Sequence, residues 1–332
     1  MRKLNMDMKK RVYSGIRATG RLHLGNYMGM VKGMLEIQDN YECIFSVVDL
    51  HSMTTPYDPL TLQASIRDVV LDYLAAGFDR TKSILEIQST IPQHTELSFL
   101  LATIFPLSRI EDLPTYKEKK LQHPKYVNVG LLYYPILMAA DMLIYKAELV
   151  PTGKDQEPHL EVTREIARKF NEMFGNTFPE VQRFKTVGEY VPSLAGTGKM
   201  SKSVEGSYIN LTDDLETIRK RLAAAPTDSG TKGGELPKEG PVANLFALFR
   251  LFDKETYAKF AGDYNKGKIR YVEMKSAIAD AIYKELQPFQ ERRKEFENNP
   301  KVVDEIIEEG RQKCLKMAEE TMKEVREKMG LV

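Results

Sequence analysis

The chain has 332 residues, 42% hydrophobic and 29% charged, which excludes a disordered or fibrous chain and predicts one large domain with a smaller unit. Its 48 basic and 47 acidic residues leave a formal charge of +1, a balance that neither requires nor excludes a nucleic-acid partner. Two distant cysteines, Cys43 and Cys314, exclude a cysteine zinc site or a disulfide framework and predict a reducing, cytoplasmic setting. No stretch has the pattern of a secretory leader or the apolar length of a membrane span.

In chain order, residues 12–16 (Val-Tyr-Ser-Gly-Ile) predict a short strand entering a glycine turn. A helix over 25–38 follows, with Tyr27, Val31, Met34, Leu35 and Ile37 on its apolar side. The apolar runs 44–48 and 84–87 read as strands, the first with the unbroken pattern of a covered parallel strand. Between them Pro59 opens a helix to about Ala76 with Gly77 as its C-cap, and another helix covers 95–105. Residues 110–128 hold Lys117, Lys119, Lys120 and Lys125 against Glu111, Asp112 and Glu118 with few apolar residues, which predicts a mobile surface segment. A helix over 131–145, a late strand over 148–152 and a long helix carrying Leu160, Thr163, Ala167, Phe170 and Phe174 continue the rhythm of an α/β sheet covered on both faces. From about Lys202 the pattern is all-helical: 213–225 with Thr212 as N-cap, a loop over 228–240, then helices over 241–252, 268–286, 288–297 and 302–329.

Two constellations carry chemistry. The first, residues 20–27 (Gly-Arg-Leu-His-Leu-Gly-Asn-Tyr), lies between the first strand and the first helix, where α/β ligands usually sit. Gly25 permits close backbone approach, the helix start favours negative charge, and His23 and Asn26 offer directional donors; alone, a glycine before a helix is also an ordinary turn. It is neither a dinucleotide fingerprint nor a P-loop. The second, Gly198-Lys199-Met200-Ser201-Lys202-Ser203, sets two lysines in a stretch of small residues that can close over a polyphosphate; alone, it is also a solvated linker.

Together they resemble the signature motifs of the class I aminoacyl-tRNA synthetases, His23-Leu24-Gly25-Asn26 and Lys199-Met200-Ser201-Lys202-Ser203. From about Arg11 to Gly330 the chain resembles the tryptophanyl-tRNA synthetase family in particular, through Val48-Asp49-Leu50-His51, residues 134–141 (Tyr-Pro-Ile-Leu-Met-Ala-Ala-Asp), Gly153-Lys154-Asp155-Gln156 and residues 159–165. The resemblance implies a Rossmann-like α/β catalytic domain (1–201) that binds ATP and amino acid, a helical anticodon-binding domain (202–299), and a last helix (300–332) packing back on the first. It implies activation of L-tryptophan with Mg²⁺-ATP and transfer to tRNA(Trp), in a cytoplasmic homodimer without membrane or DNA partners. Mg²⁺ would be held chiefly by the phosphates, since no carboxylate cluster offers a metal site.

The same resemblance assigns roles by position. Tyr13, Ser14 and Gly15 floor the joint cleft, His23 and Asn26 contact phosphates, and Gly25 lies against the adenine. Lys119 reaches the α-phosphate region, and Lys199 and Lys202, with Met200 and Ser201 between them, hold the departing pyrophosphate. Asp155 accepts from the ribose, and Gln156 and Tyr134 hold the ammonium and carboxylate of the amino acid. Asp141 accepts the indole N–H, inside a wall of His51, Met138, Val150 and Thr152. Asp141 is also readable as a structural acceptor on an apolar helix, and His51 as a satisfied core histidine. Three positions depart from the family pattern: Arg17-Ala18 replaces Gln-Pro at an ATP-contacting place, Thr152 replaces an apolar residue, and Lys154 replaces Glu. A tyrosine-charging relative of the same fold, or a non-catalytic RNA-binding descendant of a synthetase, are the alternatives.

Overall fold

The computed structural model describes residues 9–122, 124–153, 156–185, 190–196, 198–202, 204–230 and 233–331. Among them, five strands form one parallel sheet: β1 (Arg11–Ile16), β2 (Glu42–Val47), β3 (Ser83–Ile87), β4 (Leu149–Pro151) and β5 (Gln182–Phe184), in the order β3-β2-β1-β4-β5. β1 pairs in register with β2 from Arg11↔Glu42 to Ile16↔Val47, and touches β4 at Val12↔Leu149. Strand order therefore reverses at β1, and the crevice between the carboxyl ends of β1 and β4 is the topological switch point of a Rossmann-like α/β fold.

Alternation along the strands feeds two cores. Val12, Cys43, Phe45, Val47 and Leu85 face one side of the sheet, while Tyr13, Ile44 and Val150 face the other. The first side is covered by the helical run α1 (Leu24–Asn26), a π-helical turn (Tyr27–Val31) and α2 (Lys32–Leu35), and by α4 (Pro59–Ala76), capped by Asp58 and Gly77. On the other side lie α5 (Gln93–Ala102), α8 (Val129–Leu143) and α9 (Glu157–Phe174), whose buried Leu160, Thr163, Ala167 and Phe170 match the predicted stripe. A short α3 (Asp49–Ser52) follows β2.

Several expectations are corrected. Residues 110–128, expected as a surface segment, lie on the surface but carry helices: α6 (Leu107–Glu111) and α7 (Pro114–Gln122) flank buried Ile110 and Leu113, and α7 buries no side chain of its own. Helix α10 (Leu215–Ala224) is capped by Asp214, not Thr212, because the Asp214 carboxylate accepts from Thr217 N–H at 2.8 Å. After α11 (Pro241–Phe252) comes an unpredicted helix, α12 (Lys254–Asn265), which buries only Phe260 and so lacks an apolar stripe. The predicted break at Pro288 is absent: α13 (Tyr271–Asn298) runs through it, since Leu286 and Phe289 on either side are both locked in the core. That packing offsets the lost N–H bond and ring clash of about 3 kcal/mol.

The chain ends in α14 (Pro300–Met329), which crosses β3. Gly310 makes the crossing possible, because a Cβ there would stand 1.7 Å from the Leu85 carbonyl oxygen. Helix α13 lies against α4, and one hydrophobic core is continuous from the sheet into α10, α11 and α13. A buried ionic cluster marks that junction. Arg293 of α13 pairs with Asp72 and Asp68 of α4, and Asp72 also accepts from Leu22 N–H at 2.6 Å. Among the described residues, no helix is long and apolar enough to cross a membrane.

Candidate active site

A cleft of about 750 Å³ opens at the switch point. Its walls come from Tyr13–Arg17 at the end of β1, Val150–Gly153 at the end of β4, Asn26 from α1, Lys119 from α7, and Tyr134, Met138 and Asp141 from α8, with His51, Gln156 and Lys199. Residues widely separated in sequence are thus assembled by the carboxyl edge of the sheet. Asp155, the expected ribose partner, lies outside the described residues, as do Lys154 and Ser203.

At the closed end Asp141 is only 1% exposed. Its Oδ2 accepts from His51 Nε2 at 2.8 Å, and its Oδ1 accepts from Gln88 Nε2 at 2.8 Å and His94 Nδ1 at 2.7 Å. Burial would push this carboxyl up, but hydrogen bonds from His51 and His94 hold it well below the usual carboxylate range. A carboxylate oxygen offers about two acceptor sites, so Oδ2 retains one beyond His51. Gln88, in the 3₁₀ turn (Gln88–Thr90) after β3, and His94, at the start of α5, were not anticipated. The polar run Gln88-Ser89-Thr90 directly after an apolar strand was the available signal.

The side wall carries Tyr134, whose hydroxyl donates to Thr115 Oγ1 at 3.0 Å and lies 3.2 Å from His159 Nε2. Thr115 belongs to α7, so this contact ties α7 to α8 and brings Lys119 Nζ to 4.9 Å from the Tyr134 ring centroid. Burial and the nearby Arg17 charge lower the Lys119 ammonium to about 8. Arg17 donates to Thr55 Oγ1 at 2.7 Å, and its Nε is buried with no hydrogen-bond partner. Among the described residues, Arg17, Lys119, Arg183, Lys185 and Lys199 line the cleft against one acid, Asp141, a charge pattern that fits a polyanion.

The two signature segments meet at the rim of the cleft, each contributing one residue to its wall, Asn26 and Lys199. His23, Gly25, Met200, Ser201 and Lys202 do not line the cavity. Instead a Cβ on Gly25 would stand 2.9 Å from His23 Cε1 and 3.1 Å from Met200 Cβ, so only glycine allows this approach. Leu24 N–H donates to Ile209 O at 2.8 Å, Leu211 N–H to Leu22 O at 3.1 Å, and Lys202 Nζ to Thr19 O at 3.1 Å. Burial, then the Lys202 and Lys199 charges, lower the His23 imidazolium to about 4, so the ring is neutral at pH 7. Its Nδ1 is buried and has no hydrogen-bond partner. Among the described residues no group of three or more His, Cys, Asp or Glu is set out to hold a metal ion.

Comparison with known proteins gives a concordant picture. Residues 6–287 match the family described as tRNA synthetases class I (W and Y). The chain is 40% identical over 323 residues to a tryptophan–tRNA ligase of Porphyromonas gingivalis, covering 96% of this chain and 98% of that one. It is 41% identical over 331 residues to the tryptophan–tRNA ligase of Helicobacter pylori, covering 98% and 99%. Its structure is similar to that of tryptophanyl-tRNA synthetase from Campylobacter jejuni complexed with ADP and tryptophan, with a TM-score of 0.86 at 30% identity, over 97% of this chain and 100% of that chain.

Proposed function

The chain belongs to the class I tRNA synthetases of the tryptophan and tyrosine group, and from that premise we propose that it is a tryptophan–tRNA ligase. The tryptophan carboxylate attacks the α-phosphate of ATP, the bond to pyrophosphate breaks, and tryptophanyl-adenylate forms. A terminal ribose hydroxyl of tRNA(Trp) then attacks the adenylate carbonyl and AMP leaves. The chain needs no nucleophile of its own; it aligns the reactants and neutralises charge developing on phosphate oxygens.

Asp141 carries the reading. A buried, ionised acceptor at the closed end of the cleft matches an amino acid whose side chain brings one N–H, and penalises a phenyl ring that leaves the acceptor unpaired. Tyr134 and Gln156 hold the backbone end of the amino acid. Lys119 and Arg17 approach the α-phosphate, and Lys199 and Lys202 take the pyrophosphate, with His23 and Asn26 nearby. Asp155 is assigned to the ribose. ATP would bring Mg²⁺ held chiefly by its own phosphates, where the ion would neutralise phosphate charge. Residues 202–299 read the anticodon, the chain acts as a cytoplasmic homodimer, and tRNA spans the two units.

Amino-acid-dependent exchange of pyrophosphate into ATP, screened with all twenty amino acids, tests this directly. Tryptophan alone is expected to drive exchange. A tyrosine response would move the chain to the other branch of its family, and no exchange by the folded protein would remove the ligase assignment.

A further inference from the structure

Behind Asp141 runs a buried polar chain that the proposed reaction does not use. His94 is fully buried, with Nδ1 2.7 Å from Asp141 Oδ1 and Nε2 2.8 Å from the Tyr145 hydroxyl. That hydroxyl donates to Glu86 Oε2 at 3.0 Å, and Glu86, in the middle of β3, is also fully buried. His94 Nδ1 donates to the Asp141 carboxylate, and Nε2 lies 3.6 Å from Glu86 Oε2. Burial pulls the His94 imidazolium down, but Glu86 and Asp141 raise it to about 10, so it keeps its proton at neutral pH.

Each link of this chain sits on a different element. Glu86 belongs to β3, His94 to α5, and Asp141 to α8, with Tyr145 just after that helix. Tyr13, on the cleft wall, stacks against Tyr145 with ring centroids 5.8 Å apart. An aspartate resting only on its own helix would be free to turn between rotamers. One gripped on Oδ1 by His94 and Gln88 presents Oδ2 in one direction.

We propose that His94 is a positioning residue for amino-acid selection: it never touches the substrate, but it fixes the Asp141 carboxylate so that Oδ2 faces an incoming indole N–H. The inference rests on the ligase reading above and adds to it the group that sets the orientation of the selecting acceptor. Asn and Gln separate the two ends of the imidazole, since an Asn amide overlays Nδ1 and a Gln amide overlays Nε2. His94→Asn keeps the donor to Asp141, His94→Gln keeps only the contact to Tyr145, and His94→Leu removes both.

The test is the ratio of kcat/KM for tryptophan to that for phenylalanine in pyrophosphate exchange, measured with the full chain at saturating ATP. His94→Leu is expected to lower that ratio at least tenfold, through KM for tryptophan, with KM for ATP unchanged. His94→Asn is expected to recover most of it and His94→Gln little. A ratio within twofold of the parent in His94→Leu, or parallel losses toward tryptophan and ATP, would overturn the proposal. If His94→Leu does not fold, the Asn and Gln variants decide, and equal or reversed ratios count against it. A parent protein with no tryptophan-dependent exchange would instead remove the ligase reading, so the two failures are told apart.

Discussion

The two ends of the cleft are built in opposite ways. At the amino-acid end, Asp141 is locked by three donors from α3, the turn after β3 and α5, and the groups behind it are buried. At the end assigned to phosphate the cations have few fixed polar partners: Lys199 is exposed, Lys202 donates to a main-chain oxygen, and Lys119 rests half-buried against the Tyr134 ring on a helix that buries no side chain of its own. Selecting between similar side chains needs an acceptor that cannot move to suit the wrong one. Handling a phosphate that changes charge and departs needs charges that can approach and withdraw.

Substitutions at the two ends therefore separate selection from rate. The largest effect is expected for Asp141→Asn, which should cut the preference for tryptophan over phenylalanine by about 100-fold or more. Exchange kinetics with each amino acid measure it, and an unchanged preference would place selection elsewhere. Next, Lys202→Ala should slow adenylate formation by roughly 100-fold while leaving the Kd for tryptophan within about twofold. Single-turnover rates and ligand fluorescence check the two halves, the latter aided by a chain with no tryptophan of its own.

A pH dependence comes third. Lys119 needs its proton to attract phosphate, and its ammonium is lowered to about 8, so kcat/KM for ATP should fall as pH rises through that value. Lys119→Arg should abolish that alkaline limb, and a limb that persists in the variant would assign it to another group. The smallest effect is expected at the contact between the signature segments. Gly25→Ala drives a methyl into the His23 ring and Met200 Cβ and should cost about 1–3 kcal/mol of stability. Denaturant unfolding measures it; full stability would mean that the two segments separate at little cost.

The sequence was most readable where local rules and packing agree. Pro59 and Gly77 bounded α4 to the residue, and the stripe on α9 was visible because its buried side chains repeat at helical spacing. It failed where tertiary contacts overrule local rules, as at Pro288 inside α13, or where an element has little to bury, as in α12 and the exposed edge strand β5. The candidate site divides the same way. Asp141 and the lysine loop stand in recognisable motifs, and fourteen of the expected positions line the cleft. His94, Glu86 and Tyr145 do not touch the cleft and come from three places in the chain, so only the fold shows that they support Asp141. His23, Gly25, Met200, Ser201 and Lys202 were expected at the ATP itself; the two segments carrying them pack on each other at the rim of the cleft, beside Asn26 and Lys199 of its wall.

The most direct test is to replace the one atom that Asp141 is held to read. Benzothienylalanine has the shape of tryptophan with sulfur in place of the indole N–H. The account predicts that the parent protein activates tryptophan at least about 100-fold more efficiently than this analogue, and that Asp141→Asn reduces the ratio by tenfold or more. Equal efficiencies in the parent protein would show that the indole N–H is not read, and would contradict the role given to Asp141.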